Sequence, residues 1–362
     1  MEELYKLRSE IDRIDFELLK LLKTRMETAL KIRKFKSEIT DTSREIEVLN
    51  RVKASAQALS LLTPEFAEQI FSQIIEASKS LQAQGYRLIG FQGEHGAYSE
   101  VAARAYHSGL AYIPCREFAD VFESVKQGSL DLGIVPVENS LGGSVTQVNE
   151  LLIHYDLPVI AEIKIPIHHC LLALPGTDHR DIRVVFSHPQ ALTQCRNFLQ
   201  RNHLEPRPYY DTAGAAQMLS TERPDTAAAL ASKLCAELYN LEIIKEGVED
   251  HEANVTRFLI LDRQPQQEPG TKCSIIFCMS HEIATQSGSL YGVLKLFADT
   301  KINLTRIESM PNRNDPGNYY FFLDFEGNDA DETVKRVLDG VKNNTVLYKF
   351  LGCYKEQYFG QL

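Results

Sequence analysis

The sequence predicts three domains in chain order: an all-α helical domain at residues 1–85, an α/β domain at 86–263 and an α+β ferredoxin-like domain at 272–362. Three observations predict this organisation. A length of 362 residues exceeds what one ordinary domain needs. The apolar pattern changes after Gly85 from a helical period to short apolar runs alternating with helices. The segment 264–271, with two Pro and three Gln, is typical of a linker.

Composition narrows the class of protein. Hydrophobic residues make up 44% of the chain and charged residues 24%, which is ordinary for folded globular protein. A net charge of -10 argues against nucleic acid as a partner. The seven cysteines show no CxxC spacing, so we expect no structural metal and a reducing, cytoplasmic setting. Glu2 and Glu3 open the chain, and no run of about 18 apolar residues occurs, so we expect neither a signal peptide nor a membrane span.

The first 85 residues predict three helices. Apolar residues recur at three and four spacings from Leu4 to Phe35 without Pro or Gly, which indicates one long amphipathic helix. A second helical pattern runs from Arg44 to about residue 58. Thr63 and Pro64 predict the start of a third helix, which ends near residue 84.

Several cations interrupt the apolar seam of these helices. Arg25 occupies a seam position, Arg8 and Lys36 lie beside the seam, and Arg44 follows the loop. Buried cations need anions. Arg8 and Arg25 are 17 residues apart, about 25 Å along a helix, so one small ligand could meet both only if Arg8 came from a second chain. The alternative is a purely structural bundle in which Arg25 pairs with an internal carboxylate such as Glu45.

The motifs LxxLRxxIDxIDxxLLxLLxxR, DTSRE and IFSQIIEASKSLQ resemble the all-helical chorismate mutase family over residues 1–84. That reaction is a [3,3] rearrangement of a dianion, and it needs confinement and charge stabilisation rather than an acid, a base or a cofactor. The resemblance implies a site formed by Arg8 of a second chain, Arg25, Lys36, Asp41, Arg44, Glu45, Ser78 and Gln82.

In the α/β domain, four segments place an apolar strand before a helix that starts with small polar residues: 93–106, 136–145, 186–195 and 211–219. Such helix N-termini offer N–H groups and a positive dipole end, which suit carboxylates. The alternative for each segment is an ordinary helix cap. The sequence therefore predicts an anion-binding α/β domain only through the four segments together.

The motifs GAYSE, PVENSLGGSV, SHPQAL, DTAGAA and NVTRF, in this order, resemble prephenate dehydratase over residues 87–262. The resemblance implies two lobes, as in periplasmic binding proteins, formed by about 88–165 with 245–262 and by 166–244. The implied roles are as follows. Thr256 would donate a proton or hydrogen bond to the departing hydroxyl. Arg257 would hold an anion or brace Thr256. The other implied substrate-binding residues are Ser99, Asn139, Ser140, Ser187 and Phe258.

The C-terminal βαββαβ order and the segments GSLYGVLKLF and INLTRIESMP resemble the ACT regulatory domain. Tyr291 and Met310 depart from the family's usual motifs. The resemblance implies L-phenylalanine as effector, and the alternative is a dimerisation module without a ligand. The expected effector-binding residues are Gly288, Leu290, Asn303, Leu304, Glu308 and Ser309.

Taken together, the chain resembles the bifunctional chorismate mutase/prephenate dehydratase family of phenylalanine biosynthesis. We expect chorismate and prephenate as substrates, no cofactor or metal, and a homodimer or homotetramer. Two other readings stay open. One is a non-catalytic sensor, because two-lobed and ACT domains also serve as binding modules. The other is a dehydratase whose helical domain only mediates oligomerisation.

Overall fold

The computed structural model describes residues 2–251, 253–279, 287–313 and 315–359. The N-terminal domain consists of three helices, α1 (Glu2–Arg33), α2 (Thr42–Gln57) and α3 (Pro64–Ala83). Their starts follow the predicted caps: Asp41 accepts from the N–H of Arg44, and Thr63 accepts from the N–H of Phe66. No helix among the described residues is both long and apolar enough to cross a membrane.

The N-terminal half of α1 leaves its apolar seam uncovered. Leu7, Ile11 and Leu18 are each more than half exposed, whereas Ala29 and Leu30 near the end of the helix are buried. The end of α1 packs on α3 and on the central domain, where Lys34 Nζ lies 2.6 Å from Oδ2 of Asp131. A single chain therefore covers only part of the amphipathic face that the sequence predicts.

The central domain has two lobes, as expected. Lobe 1 contains strands β1 (Leu88–Gln92), β2 (Ala111–Cys115), β3 (Leu132–Asn139), β4 (Gly143–Ser144), β5 (Val159–Pro166) and β11 (Val255–Leu261). Its helices are α4 (Tyr98–Tyr106), α5 (Phe118–Gln127) and α6 (Thr146–His154). The strands are almost continuously apolar, which suits a sheet covered on both faces.

Lobe 2 is a separate five-stranded sheet in the order β10-β6-β9-β7-β8. Its strands are β6 (Cys170–Ala173), β7 (Val184–Ser187), β8 (Glu205–Pro208), β9 (Ala227–Ala231) and β10 (Glu242–Lys245). Its helices are α7 (Pro189–Gln194), α8 (Arg196–Arg201), α9 (Thr212–Glu222) and α10 (Lys233–Tyr239). The chain crosses between the lobes twice, at 167–169 and at 246–254, and Ile167 N–H bonds Asn254 O from one crossing to the other.

The C-terminal unit has the predicted βαββαβ order. It comprises β12 (Lys272–Cys278), α11 (Ser289–Asp299), β13 (Leu304–Pro311), β14 (Tyr319–Glu326), α12 (Glu332–Asn343) and β15 (Leu347–Tyr358). The strand order β13-β14-β12-β15 is that of a ferredoxin-like sheet. The prediction of an α+β unit here is confirmed in its topology.

Strand β15 joins the C-terminal unit to lobe 1. Its first part pairs antiparallel with β12, and residues 355–358 pair parallel with β5. One sheet therefore runs β13-β14-β12-β15-β5-β11-β3-β1-β2 through both units. Residues 355–358 contain Lys, Glu, Gln and Tyr and no apolar run, so the sequence pattern alone does not predict this second pairing.

Candidate functional sites

The helical domain contains a cavity of about 460 Å³ between the three helices. Seven of the eight expected mutase residues line it, and these are Arg25, Lys36, Asp41, Arg44, Glu45, Ser78 and Gln82. Arg8 lies elsewhere, on the exposed N-terminal half of α1. The structure thus brings together all the predicted residues except Arg8, which was expected to come from a second chain.

Some of the cations in this cavity have carboxylate partners, and one does not. Lys36 contacts Asp41 at 3.6 Å, and Lys79 contacts Glu45 at 3.1 Å. Arg25 donates instead to the neutral hydroxyl of Ser78 and has no carboxylate partner among the described residues. The pairing of Arg25 with Glu45, expected for a purely structural bundle, is therefore absent. A guanidinium that faces a cavity without a counter-ion can bind an anionic ligand.

Lys79 was missed by the sequence analysis, although it stands next to Ser78 in the quoted motif. Four cationic side chains line the cavity (Arg25, Lys36, Arg44 and Lys79) against two carboxylates (Asp41 and Glu45). The difference, 4 - 2, is two positive charges. Gln82 adds a polar group: its Nε2 donates to the carbonyl of Ala29 at 2.9 Å, which leaves its second N–H for a ligand.

The central domain has a second cavity, of about 450 Å³, in the cleft between its two lobes. Lobe 1 contributes the expected residues Ser99, Asn139, Thr256 and Phe258, and lobe 2 contributes residues of α7 and α9. The first crossing between the lobes forms part of its floor, through Ile167 and His169. No lysine or arginine is among the described residues that line this cleft.

Hydrogen bonds fix the orientation of the Thr256 hydroxyl. Asn139 Oδ1 accepts from the backbone N–H groups of Leu141 (3.1 Å) and Gly142 (2.7 Å), so its nitrogen must point the other way. That Nδ2 donates to Thr256 Oγ1 at 2.9 Å and to Asn254 Oδ1 at 2.7 Å. Because the Thr256 oxygen accepts, its own proton remains available to an oxygen in the cleft.

Arg257 does not line the cleft, which corrects the expectation that it holds a substrate anion. Its side chain is 6% exposed and its Nη2 lies 2.8 Å from Oε2 of Glu162 and 2.6 Å from Oδ2 of Asp324 in the C-terminal unit. Burial alone would lower the pKa of Arg257, but the carboxylate of Asp324 raises it well above its usual value. Successive strand residues point to opposite faces, so Arg257 can brace Thr256 without touching substrate.

Two predicted serines are structural. Ser140 is hydrogen-bonded to the backbone of the second crossing, with its Oγ donating to Ala253 O and accepting from Val255 N–H. The fully buried Ser187 donates to Leu230 O at 2.6 Å. Neither residue is among those that line the cleft. Both expectations therefore need correction, because the SHPQAL and ENSLGG motifs also contain residues that hold the backbone.

The expected effector residues lie on two faces of the C-terminal sheet. Gly288 has a φ of +87° and caps α11, and Ser309 is exposed on β13. Glu308 points the other way: its Oε1 accepts from Nδ2 of Asn149 in lobe 1 at 3.2 Å. Leu290 and Leu304 pack partly against the core of this unit, and Asn303 is exposed. Residues 280–286, next to Gly288, lie outside the described residues.

Family models match both of the domains that contain these cavities. The family model Chorismate mutase type II matches residues 7–83, and the model Prephenate dehydratase matches residues 89–266. An arogenate dehydratase/prephenate dehydratase of Arabidopsis thaliana is 39% identical over 279 residues, which are 74% of this chain and 72% of that protein.

Two solved structures are also similar. A prephenate dehydratase from Arthrobacter aurescens in complex with L-Phe is 29% identical, with a TM-score of 0.67 over 74% of this chain and 89% of that chain. GqqA, described as a novel type of quorum quenching acylase, is 35% identical, with a TM-score of 0.69 over 75% of this chain and 98% of that chain.

The fold is a two-lobed α/β domain with a cleft, preceded by a three-helix domain with its own cavity. The chain belongs to the prephenate dehydratase family and carries a chorismate mutase type II domain at its N-terminus. These two domains support a place in phenylalanine biosynthesis. The described C-terminal unit is compatible with an ACT domain.

Proposed function

We propose that the chain is a bifunctional enzyme that converts chorismate to prephenate in the helical domain and prephenate to phenylpyruvate in the cleft, with inhibition by L-phenylalanine. One observation carries the proposal. The Thr256 hydroxyl, oriented by Asn139, has a free proton in a cleft between two lobes. The helical cavity, with its surplus of cations, supports the first reaction.

In the mutase cavity, four lining cations face two lining carboxylates, which suits an anionic substrate, and Arg44 and Lys79 also pair with Glu47 and Glu76 outside the lining. Arg25 would bind one carboxylate, because it lacks a counter-ion among the described residues. Lys36 and the second N–H of Gln82 would stabilise negative charge that develops on the breaking ether oxygen. Confinement of one conformer supplies the remaining acceleration.

The proposed mutase site is completed by a second chain. Arg8 and Arg25 are 17 residues apart on one helix, about 25 Å, so Arg8 cannot reach its own chain's cavity. The exposed seam of α1 supports this arrangement, because Ile11 is 57% and Leu21 is 67% exposed in a single chain. Exposed apolar seams of this kind are covered by partner helices. The proposed assembly is a homodimer or a dimer of such dimers.

In the dehydratase cleft, prephenate would lose its ring carboxylate as CO2 and its hydroxyl as hydroxide, which a proton from solvent would convert to water. The Thr256 O–H would donate a hydrogen bond to the departing hydroxyl, and aromatisation drives the electron flow. Because no lysine or arginine lines the described cleft, amide and backbone N–H groups would bind the carboxylates. The first turns of α4 and α9 face the cleft at Ser99 and Thr212.

Arogenate, the amino acid that corresponds to prephenate, is a second candidate substrate, as the name of the Arabidopsis relative indicates. Asp211 is a cleft carboxylate that favours it. Its Oδ1 caps α9 by accepting from Ala213 and Gly214, while its Oδ2 has no partner among the described residues. This oxygen could pair with the ammonium group of arogenate. An Asp211→Asn variant keeps the cap and should lose selectivity for arogenate over prephenate.

The decisive experiment supplies chorismate, prephenate or arogenate to the purified full chain and follows chorismate loss with phenylpyruvate or phenylalanine formation. We expect chorismate to be consumed and phenylpyruvate to form. Consumption that stops at prephenate would reject the dehydratase half, and intact chorismate would reject the mutase half. An N-acyl amide serves as a further substrate, and its hydrolysis in place of dehydration would favour an acylase activity of the kind named for GqqA.

A further inference from the structure

The floor of the cleft contains a chain of hydrogen bonds that passes between the lobes. Starting from Thr256, it continues through Asn139, Asn254, Gln194 and His169 and ends at Tyr98. Thr256, Asn139 and Tyr98 belong to lobe 1, and Gln194 ends α7 in lobe 2. Asn254 and His169 lie on the two crossings, so each crossing contributes one member.

The direction of every link follows from one backbone turn. The N–H groups of Leu141 and Gly142 hold Asn139 Oδ1, so Asn139 Nδ2 must donate to Asn254 Oδ1. Asn254 Nδ2 therefore faces outward and donates to Gln194 Oε1 at 3.2 Å. Both amides have one possible orientation, since reversing either would bring two donors or two acceptors together.

The same logic assigns the tautomer of His169. Its Nε2 lies 2.9 Å from Gln194 Oε1, which is an acceptor, so the proton of the neutral ring must be on Nε2. Nδ1 is then an acceptor for the single proton of the Tyr98 hydroxyl at 2.8 Å, and the hydroxyl shares that proton with the carbonyl of His168 at 2.7 Å in a three-centre hydrogen bond. The ring is 2% exposed. Burial lowers the pKa of His169, which favours this neutral form.

Two donors directed at the cleft result from this arrangement. Gln194 Oε1 accepts two hydrogen bonds, from Asn254 and His169, so its Nε2 points away from both. No described residue accepts from that nitrogen, and Gln194 lines the cleft. The Thr256 hydroxyl is the other donor.

We propose that His169 is a positioning residue for the dehydratase reaction: its neutral, Nε2-protonated ring holds the Gln194 carboxamide so that the nitrogen donates to a carboxylate or carbonyl oxygen of the substrate. This inference rests on the proposed function of the cleft. Because Gln194 belongs to lobe 2 and its two partners lie on the crossings, the donor is correctly oriented only when lobe 2 is seated on the floor of the cleft.

The test compares two substitutions of His169. Glutamine reaches the position of Nε2 and can donate to Gln194, whereas asparagine reaches only the position of Nδ1. We expect His169→Gln to keep KM for prephenate within about threefold of wild type and His169→Asn to raise it by about tenfold or more. In a Gln194→Ala background, His169→Asn should add little, because its target is gone. Equal KM values for His169→Gln and His169→Asn would overturn the proposal.

A second measurement does not depend on activity. In the full chain labelled with ¹⁵N-histidine, the His169 resonance is identified by its absence from His169→Gln. We expect a one-bond N–H coupling at Nε2 and none at Nδ1, and a proton on Nδ1 would overturn the proposal. His168→Gln is the matched control. The His168 side chain contacts Glu249 and is 47% exposed, so its replacement should leave the His169 resonance in place. If wild type lacks dehydratase activity but shows this tautomer, the proposed function fails and the positioning of Gln194 stands.

Discussion

Arg257 Nη2 lies 2.6 Å from Oδ2 of Asp324, and this contact joins the strand of Thr256 to the C-terminal unit. Around it, Glu162 bonds both Arg257 and Lys272, and Lys272 also contacts Glu356. The cluster is buried between the two units. The neighbour of the proposed catalytic threonine is thus held by a residue of a different domain.

Breaking this cluster should destabilise the chain. In Arg257→Met, Glu162 and Asp324 lose a buried cation, and we expect unfolding free energy to fall by about 3–5 kcal/mol. Urea denaturation measures the change. Arg180→Met is the control, because that guanidinium is 78% exposed and pairs with Asp178 at the surface, where a loss of less than about 0.5 kcal/mol is expected. Equal losses in the two variants would contradict the structural role of the cluster.

Two replacements of Thr256 distinguish the contribution of its side-chain shape from that of its hydroxyl as a hydrogen-bond donor. Thr256→Val keeps the side-chain shape but removes the donor, and we expect kcat for dehydration to fall by about 100-fold or more. Thr256→Ser keeps the hydroxyl beside Asn139 Nδ2 and should retain much of the activity. Phenylpyruvate formation from prephenate is the readout, and mutase activity with chorismate is the internal control. Similar rates for the two variants would mean that another group assists the leaving hydroxyl.

Hybrid dimers test the second-chain origin of Arg8. Arg8→Ala and Arg25→Ala chains should each lose most mutase activity. Mixed dimers should regain up to half of wild-type activity per dimer, since one of their two cavities receives both native arginines. The measurement uses differently tagged chains purified as hybrids. If confirmed hybrids remain inactive, Arg8 does not complete the partner's cavity.

His95 links the helical domain to the cleft loop in a pH-dependent way. Its Nε2 lies 2.9 Å from Glu27 of α1, as an ion pair without hydrogen-bond alignment, and its Nδ1 lies 3.0 Å from Glu100. Burial alone would lower the pKa of His95, but the two carboxylates raise it above 6.5 overall. Arg104 also contacts Glu100, and Lys23 of α1 interacts electrostatically with both Glu27 and Glu100.

The sign of the resulting pH dependence follows from this raised pKa. The His95 contribution to stability is fully present below the unfolded pKa of about 6.5 and is lost as pH rises through the higher folded pKa. We expect wild type to lose unfolding free energy across that range, relative to His95→Gln, by denaturant titration at several pH values. Parallel curves for the two proteins would show that the ring carries no charge in the folded chain.

The C-terminal unit should bind L-phenylalanine. Binding of the effector can be tested separately from its effect on the dehydratase reaction. Glu308 contacts Asn149 of lobe 1 rather than the face of Ser309. We therefore expect Glu308→Gln to keep the heat of phenylalanine binding in calorimetry but to weaken inhibition of dehydration. Asn303→Ala, on an exposed turn, should weaken both. Absence of both heat and inhibition in wild type at millimolar phenylalanine would leave a dimerisation module.

The helices, the lobe boundaries and most cavity residues could be predicted, because the spacing of apolar residues and the order of the motifs can be read directly from the sequence. Arg25 interrupted an apolar seam, and Thr256 lay in the last of five ordered motifs. Arg257 could not be placed, since its partners Glu162 and Asp324 are 95 and 67 residues away. Gln194, His169 and Asn254 were missed for a related reason: each is an ordinary polar residue until two crossings bring them together.

Strand β15 pairs with β12 through residues 347–354 and with β5 through residues 355–358, so β5 has neighbours on both sides. Excising residues 272–359 would turn β5 from an interior strand into an edge strand, and the backbone groups of residues 161–164 that pair with residues 355–358 would lose their partners. It would also uncover core residues such as Val137 and Leu259, which share one apolar cluster with Ile276 and Phe322. A dehydratase lobe released from this chain would need another strand or a second subunit to cover that border.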